Sequence, residues 1–356
     1  MREAQAAGGL SYAEAGVDIA AGERAVDLIR PAVASTRRPE VIGGIGGFGG
    51  LFALAPGRYR EPVLVAATDG VGTKLEVAKA AGRVTTVGVD LVAMCVDDLV
   101  CQGAEPLFFL DYLAVGKLDP VHAADVVGGI AEGCRLAGCA LLGGEMAEHP
   151  GAMAPGSFDL AGFAVGVVER ADVIDGQAAR AGDVLIGLLS PGLRSNGFSL
   201  AREVIARSRL SLDGPAWPGA PTTLADELLV PSVIYATGVL ALIAELDVHA
   251  VAHITGGGIP GNVPRVLPPG VVAVLDRSRW PMPPVMTELA RVGGLAEEEM
   301  ANVFNLGLGM VVAVPADQAD RAVAILAGRG FAATPVGHLE AGEHGAPAGV
   351  RLVGRS

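Results

Sequence analysis

The segment Thr68-Asp69-Gly70-Val71-Gly72-Thr73-Lys74 follows directly on an apolar run at residues 62–67. A short apolar run closed by turn-forming residues predicts a buried strand there. An aspartate at a strand end, then small flexible residues and a lysine, suits a station for phosphate and metal. Asp69 can hold Mg²⁺, Gly70 and Gly72 let the backbone approach oxygen, and Lys74, after Thr73, neutralises charge. A capped turn with a surface lysine fits the same seven residues, so the heptad by itself leaves both readings open.

Upstream lies a glycine cluster, Gly43-Gly44-Ile45-Gly46-Gly47-Phe48-Gly49-Gly50. Gly44, Gly46 and Gly49 satisfy the G-x-G-x-x-G spacing of dinucleotide sites. Such sites need a strand before the glycines and a helix after them. No apolar strand of normal length precedes these, and Pro56, Gly57 and Pro62 leave no room for the helix. Gly256, Gly258 and Gly261 repeat the spacing, which shows how cheap it is in a chain with 51 glycines. No G-x4-G-K-[ST] phosphate loop occurs. The cluster reads either as a flexible loop whose amides wrap phosphates or as a structural turn.

Outward from these segments the chain alternates. Helices are predicted around residues 25–34 after an irregular start at 11–22, at 78–81, over 90–102 and over 119–137. The last has Asp119 as N-cap and Pro120 in its first position. Strands are predicted at 107–112, 140–144 and 159–168. Past residue 171, strands fall at 184–189, 251–255, 271–275 and 309–314, and helices at 198–207, 228–244, 260–266 and 316–329. This is an α/β pattern of the α+β type in two domains, 1–170 and 171–345. A Gly/Pro/Ala-rich stretch begins at Ala341, and residues 346–356 read as a loosely held tail.

The 356 residues exceed one typical core, and half of them are apolar. A net charge of −13 opposes non-specific binding to nucleic acid or an anionic membrane, both of which need a basic face. Cys95, Cys101, Cys134 and Cys139 form no CxxC pair and read as buried thiols in a reducing cytosol, not as a zinc site. The start, with Arg2 and Glu3, carries no apolar run of signal-peptide length. The apolar stretch at 230–246 contains Pro231, Ser232, Tyr235 and Thr237, which makes it a core helix and not a membrane span. A soluble cytoplasmic protein is expected.

Further segments carry chemistry. Asp90 and Asp97 are seven residues apart, hence on one helix face, with Asp98 on another. Asp90 can chelate a cation with either later aspartate, or cap the helix. Gly143-Gly144-Glu145 puts an acid after a strand, where metal binding and a plain surface turn compete. Arg194-Ser195-Asn196-Gly197 precedes a helix and suits a phosphate contact or an ordinary cap. His253-Ile254-Thr255-Gly256-Gly257-Gly258 joins a strand histidine to a triglycine, an anion site if the histidine is more than a core residue.

Together and in this order the pieces resemble one family, the aminoimidazole ribonucleotide synthetases (phosphoribosylformylglycinamidine cyclo-ligases), over roughly residues 11–340. The resemblance also runs through Tyr12-Ala13-Glu14-Ala15-Gly16-Val17-Asp18-Ile19, Thr36-Arg37-Arg38-Pro39-Glu40-Val41, Val89-Asp90-Leu91-Val92-Ala93-Met94-Cys95-Val96-Asp97-Asp98-Leu99 and Gln102-Gly103-Ala104-Glu105-Pro106-Leu107-Phe108-Phe109-Leu110-Asp111-Tyr112. Five positions depart from the family pattern: Arg30, Met146, His149, Arg194 (where a histidine is expected) and Leu306.

The resemblance implies a two-domain fold shared with selenophosphate synthetase, thiamine-monophosphate kinase and formylglycinamidine ribonucleotide synthetase. It implies a homodimer whose N-terminal domains pair into a β-barrel, with ATP near the interface under the glycine loop. The reaction implied is ATP-driven amide activation of formylglycinamidine ribonucleotide, then C–N ring closure to aminoimidazole ribonucleotide with release of ADP and phosphate. Carried onto this sequence, Asp69, Asp98 and Asp90 would hold Mg²⁺, and the resemblance also admits K⁺. Gly46, Gly47, Phe48, Gly49, Asp69, Gly70, Gly72, Thr73 and Lys74 would bind ATP. Asp98, His253 and Lys74 would be catalytic, and Asn196, Gly257 and Glu145 would face the substrate. A selenophosphate synthetase would want an early reactive cysteine, which is missing before Cys95. A non-catalytic nucleotide sensor is separated from the enzyme by turnover alone.

Overall fold

The computed structural model describes Tyr12 and residues 14–354. Residues 1–11, Ala13, Arg355 and Ser356 lie outside the described residues, and with them Arg2, Glu3, two residues of the irregular start and the last two of the expected tail. The first half contains α1 (Ile19–Ala34), β1 (Val41–Ile42), β2 (Leu51–Phe52), β3 (Pro62–Gly70), α2 (Lys74–Ala80), α3 (Thr85–Cys101), β4 (Glu105–Val115), α4 (Pro120–Ala137), β5 (Ala140–Glu148) and β6 (Phe158–Glu169). β3, β6, β4 and β5 form a four-stranded sheet in that order, parallel only between β4 and β5. β1 and β2 pair as a short ribbon that brackets the glycine cluster.

α3 and α4 cover one face of this sheet. Asp119 caps α4 by accepting from the Val121 and His122 N–H groups at 2.9 and 3.4 Å, Pro120 follows it, and left-handed Gly138 ends the helix. The two helices meet backbone to backbone: a Cβ on Gly88 would lie 2.2 Å from Ile130 N, and one on Gly129 1.8 Å from Thr85 O. Alanine at either position would force the helices apart. α3 is buried almost all round, because α7 (Ala236–Glu245) and β8 (Ala250–His253) of the second half close over the side that the first sheet leaves free.

The second half contains β7 (Val184–Leu189), α5 (Phe198–Ser208), α6 (Leu224–Leu228), α7 (Ala236–Glu245), β8 (Ala250–His253), α8 (Gly258–Asn262), β9 (Val271–Asp276), α9 (Pro284–Gly293), α10 (Glu297–Val303), β10 (Leu308–Val314), α11 (Ala319–Gly328), β11 (Ala333–Ala341) and β12 (Gly349–Val353). Its six strands are ordered β12-β9-β11-β7-β10-β8. No described helix is long and apolar enough to cross a membrane.

Several expectations need correction. The strand at 62–67 is not buried: β3 is an edge strand with alternate residues exposed. Gly143-Gly144-Glu145 is not a turn after a strand, because β5 runs through all three. The helix expected over 228–244 is two helices, parted where Pro231 lacks an N–H and disfavours helical backbone before it. The tail expected at 346–356 instead supplies β12, which pairs in parallel with β9. α9, α10, β11 and the β1–β2 ribbon are additions to the predicted pattern; the strands are short or interrupted by Pro335 and Gly337.

Candidate functional site

α3 sends three aspartates to three destinations. Asp90 is fully buried in the middle of the helix, which removes its reading as a cap. Its Oδ2 lies 2.6 Å from the Lys74 Nζ, and its Oδ1 accepts from the Ser232 N–H and hydroxyl at 2.8 and 2.6 Å. Lys74 is equally buried and also donates to the Arg194 and Val230 carbonyls, both at 3.0 Å. Burial pulls the Lys74 ammonium below its ordinary pKa, and Asp90 opposes this. The expectation that Lys74 contacts phosphate and acts catalytically, and that Asp90 ligates metal, is therefore corrected. The two neutralise each other inside the protein, because α2 begins at Lys74 and turns the side chain inward.

Asp97, two turns along the same face, is also fully buried. It sits 2.8 Å from the Arg194 Nη2 and accepts from the Tyr235 N–H at 2.8 Å. Burial pushes its carboxyl up, and Arg194 opposes the shift. The break between α6 and α7 supplies the backbone N–H groups of Ser232 and Tyr235 to these two carboxylates. An unbroken helix would have used them internally.

Asp98 points the other way, half exposed, with Oδ1 2.8 Å from the His253 Nδ1. Asp69 stands at the exposed end of β3 and accepts from the Gly70 N–H at 2.7 Å. Neighbouring protein desolvates Asp69, and together with the charge of Asp98 raises its pKa against the Gly70 hydrogen bond. Thr73 Oγ1 meets the Ser199 hydroxyl at 3.1 Å, and Asn196 Nδ2 lies 3.7 Å from the Met94 sulfur. Asn196 Oδ1 would be 3.4 Å from a Cβ on Gly256, and exposed, left-handed Gly257 follows. The Asp69–Thr73 turn and Asp98 of the first half thus meet the start of α5, His253 and the triglycine of the second through a set of pairwise contacts. His253 lies behind Asp98: its side chain is only 3 % exposed and both ring nitrogens are engaged. With both nitrogens engaged, His253 presents no free ring atom for acid or base chemistry.

The glycine loop lies elsewhere, at the opposite edge of the first sheet. Gly46, Gly47, Phe48 and Gly49 are open to solvent, and the loop closes a cavity of about 590 Å³ with α1, Asp111, Gly144 and Glu145. Register ties the two places together. Asp69, Gly162, Asp111 and Gly144 are partners across β3, β6, β4 and β5, a row of roughly 14 Å at the usual strand spacing. Asp111, overlooked as a site residue, is the buried acid of that row. Burial raises its pKa to about 7, and a Cβ on Gly144 would come within 2.3 Å of its carboxylate. A lone aspartate in the apolar run Phe108-Phe109-Leu110-Asp111-Tyr112 was the available signal.

Among the described residues, no group of three or more His, Cys, Asp or Glu side chains is placed to hold a metal. Asp69 and Asp98 nonetheless suit Mg²⁺, which takes one or two carboxylates and completes its shell with phosphate oxygens and water. Of the five departures, Arg194 is buried, Leu306 has left-handed backbone (φ 51°), Arg30 pairs with Asp27, and His149 meets the Tyr112 hydroxyl at 3.0 Å. Met146 lines the glycine-loop cavity.

Comparison with known proteins supplies a second line. The AIR synthase related protein family matches through its N-terminal domain at residues 57–168 and through its C-terminal domain at residues 180–349. The phosphoribosylformylglycinamidine cyclo-ligase of Myxococcus xanthus (strain DK1622) is 56 % identical over 336 residues, 94 % of this chain and 97 % of that protein. The enzyme of the same name from Anaeromyxobacter dehalogenans (strain 2CP-C) is 58 % identical over 337 residues, with the same coverage. Among solved structures, thiamine-monophosphate kinase from Stenotrophomonas maltophilia K279a superposes with a TM-score of 0.67 at 21 % identity, over 93 % of this chain and 96 % of that one. The hydrogenase maturation protein HypE in complex with ATP gives 0.64 at 18 %, over 93 % and 91 %. At such identities the likeness is one of fold.

Proposed function

Because the chain belongs to the AIR synthase related family, among its phosphoribosylformylglycinamidine cyclo-ligases, we propose that it performs the ATP-dependent cyclisation of formylglycinamidine ribonucleotide to aminoimidazole ribonucleotide. ADP and phosphate are released, and the reaction serves purine biosynthesis. The observation that carries the reading onto this structure is the pair of open carboxylates, Asp69 and Asp98, at the meeting of the two halves.

In this reading Asp69 and Asp98 hold Mg²⁺ with the ATP phosphates, and the cation supplies neutralisation of phosphate charge that a protein of net charge −13 lacks. Gly72 and Thr73 present backbone and hydroxyl donors to the phosphates, and Gly70 lets the backbone approach them. Asn196 and Gly257, from the second half, orient the amide and amidine so that the activated carbon and the closing nitrogen meet. Gly46, Gly47, Phe48 and Gly49 close over the nucleotide from the far edge of the sheet, with Glu145 beneath them. K⁺ is a second cation of the same reading. Residues 1–170 form the nucleotide-binding domain and 171–345, with β12 added, the second. Four free, buried cysteines support a cytoplasmic setting.

The same reading includes a homodimer built on the first sheet. Leu64, Phe163 and Tyr112 on its outer face are 61 %, 40 % and 41 % exposed, and β3 is an unpaired edge; both features support pairing with a second copy into a barrel. The deciding experiment measures ADP and aminoimidazole ribonucleotide with the synthetic substrate. ADP release at one rate with and without that substrate would refute the cyclo-ligase assignment.

A further inference from the structure

A hydrogen-bonded chain runs from the core of α3 out to Asp98, and of its members only Asp98 enters the proposed chemistry. Arg194 Nη2 lies 2.8 Å from Asp97 Oδ2 and 2.9 Å from His253 Nε2, while His253 Nδ1 lies 2.8 Å from Asp98 Oδ1. A guanidinium has donors and no acceptor, so Nε2 must accept. The ring's one proton then sits on Nδ1 and is donated to Asp98. Arg194 is held for this task. It is 1 % exposed, Nη1 donates to the Val233 carbonyl at 2.7 Å, and its guanidinium stacks on Tyr235 at 5.0 Å. Its backbone is left-handed (φ 63°), a conformation side chains other than glycine seldom adopt, and its buried Nε has no partner among the described residues. Strain and an orphaned donor accepted together at one residue point to a placement that matters.

We infer that Arg194 is a positioning residue: it locks His253 in the Nδ1–H tautomer, and that N–H fixes the Asp98 carboxylate beside Asp69. Asp97 balances the charge of Arg194 and so lets a guanidinium sit in the core. The inference rests on the reading above only in taking Asp98 as a carboxylate that serves Mg-ATP.

Two substitutions of His253 test it with Arg194 left in place. Asparagine carries its amide nitrogen where the ring has Nδ1, and glutamine carries its own where the ring has Nε2. His253→Asn therefore keeps a donor toward Asp98, whereas His253→Gln loses it and turns a donor toward Arg194. Calorimetric titration of ATP at graded Mg²⁺ should show half-maximal binding displaced about tenfold in Mg²⁺ for His253→Gln, and at least threefold less for His253→Asn. In wild-type protein, long-range ¹H–¹⁵N spectra should show an unprotonated Nε2 for the ring whose signals vanish in His253→Asn. The double variant Asp97→Asn/Arg194→Met, which removes the buried pair together, should give a mixture of tautomers. A protonated Nε2 in the wild type, or equal displacement by asparagine and glutamine, overturns the inference even if the double variant fails to fold. None of these readouts needs ring closure, so absence of cyclisation would sink the cyclo-ligase reading and leave this one to be judged separately.

Discussion

Replacing Lys74 by methionine separates a buried structural lysine from a phosphate-binding one. The methionine keeps most of the apolar stem, so packing changes little and the loss is that of the ammonium. That ammonium sits 2.6 Å from Asp90 Oδ2 and donates to two carbonyls at 3.0 Å. Asp90 Oδ2 takes no hydrogen bond from any other described group, and both side chains are fully buried. Removing one member of such a pair leaves a buried charge uncompensated and costs about 3–5 kcal/mol, whereas replacing both members by neutral groups is often close to neutral. Lys74→Met should therefore lose about 3–5 kcal/mol of unfolding free energy. Lys74→Met/Asp90→Asn should recover most of it, because asparagine still accepts from Ser232. Asp90→Asn alone should cost less than Lys74→Met, since burial already favours the neutral amine. Denaturant unfolding of the three variants, with ATP affinity measured on each, decides the matter. Parental stability in Lys74→Met with ATP binding abolished would place Lys74 at the phosphates and refute the reasoning.

Asp69→Asn keeps the shape of the strand end and removes its charge; turnover should fall at least about 100-fold, on the order of 2.7 kcal/mol of transition-state stabilisation, with the ligand-free melting temperature unchanged, and near-normal turnover would end the metal assignment of that residue. Asp111 has a folded pKa near 7 against an ordinary 3.8, so its protonated form is the one the fold prefers: the group does no harm below pH 4 and destabilises as pH rises through that window. Asp111→Asn should accordingly gain stability relative to wild type between pH 5 and pH 8, by on the order of 2–3 kcal/mol in thermal unfolding, and a difference independent of pH would show that the carboxyl is solvated. Leu64→Arg, on the outer face of β3, should shift a sedimenting dimer to a monomer at micromolar concentration; wild-type protein sedimenting only at 35.9 kDa would dispose of the dimer itself.

Local chemistry carried much of the architecture. Asp119-Pro120 and Gly138 mark both ends of α4, because caps depend on residues adjacent in sequence. β7 appears with the bounds its apolar run predicts. The order of motifs was enough to name the family before any contact was known. What the sequence could not decide is which aspartates face solvent. Asp90, Asp97 and Asp98 share one helix and one chemistry, yet two are consumed by Lys74 and Arg194 and the third opens to solvent. That choice depends on what the second half lays over α3: Ser232 and Tyr235 from a broken helix, Arg194 from a strained turn and His253 from the end of β8. These partners lie 97 to 155 residues away along the chain. The same holds for β12, whose strand character comes from the open edge of β9 and not from its composition. Caps and periodicity are set by neighbours within a few residues, so the sequence alone determines them. Burial of a charge is set by whatever surface the fold brings against it, and for that only the tertiary structure suffices.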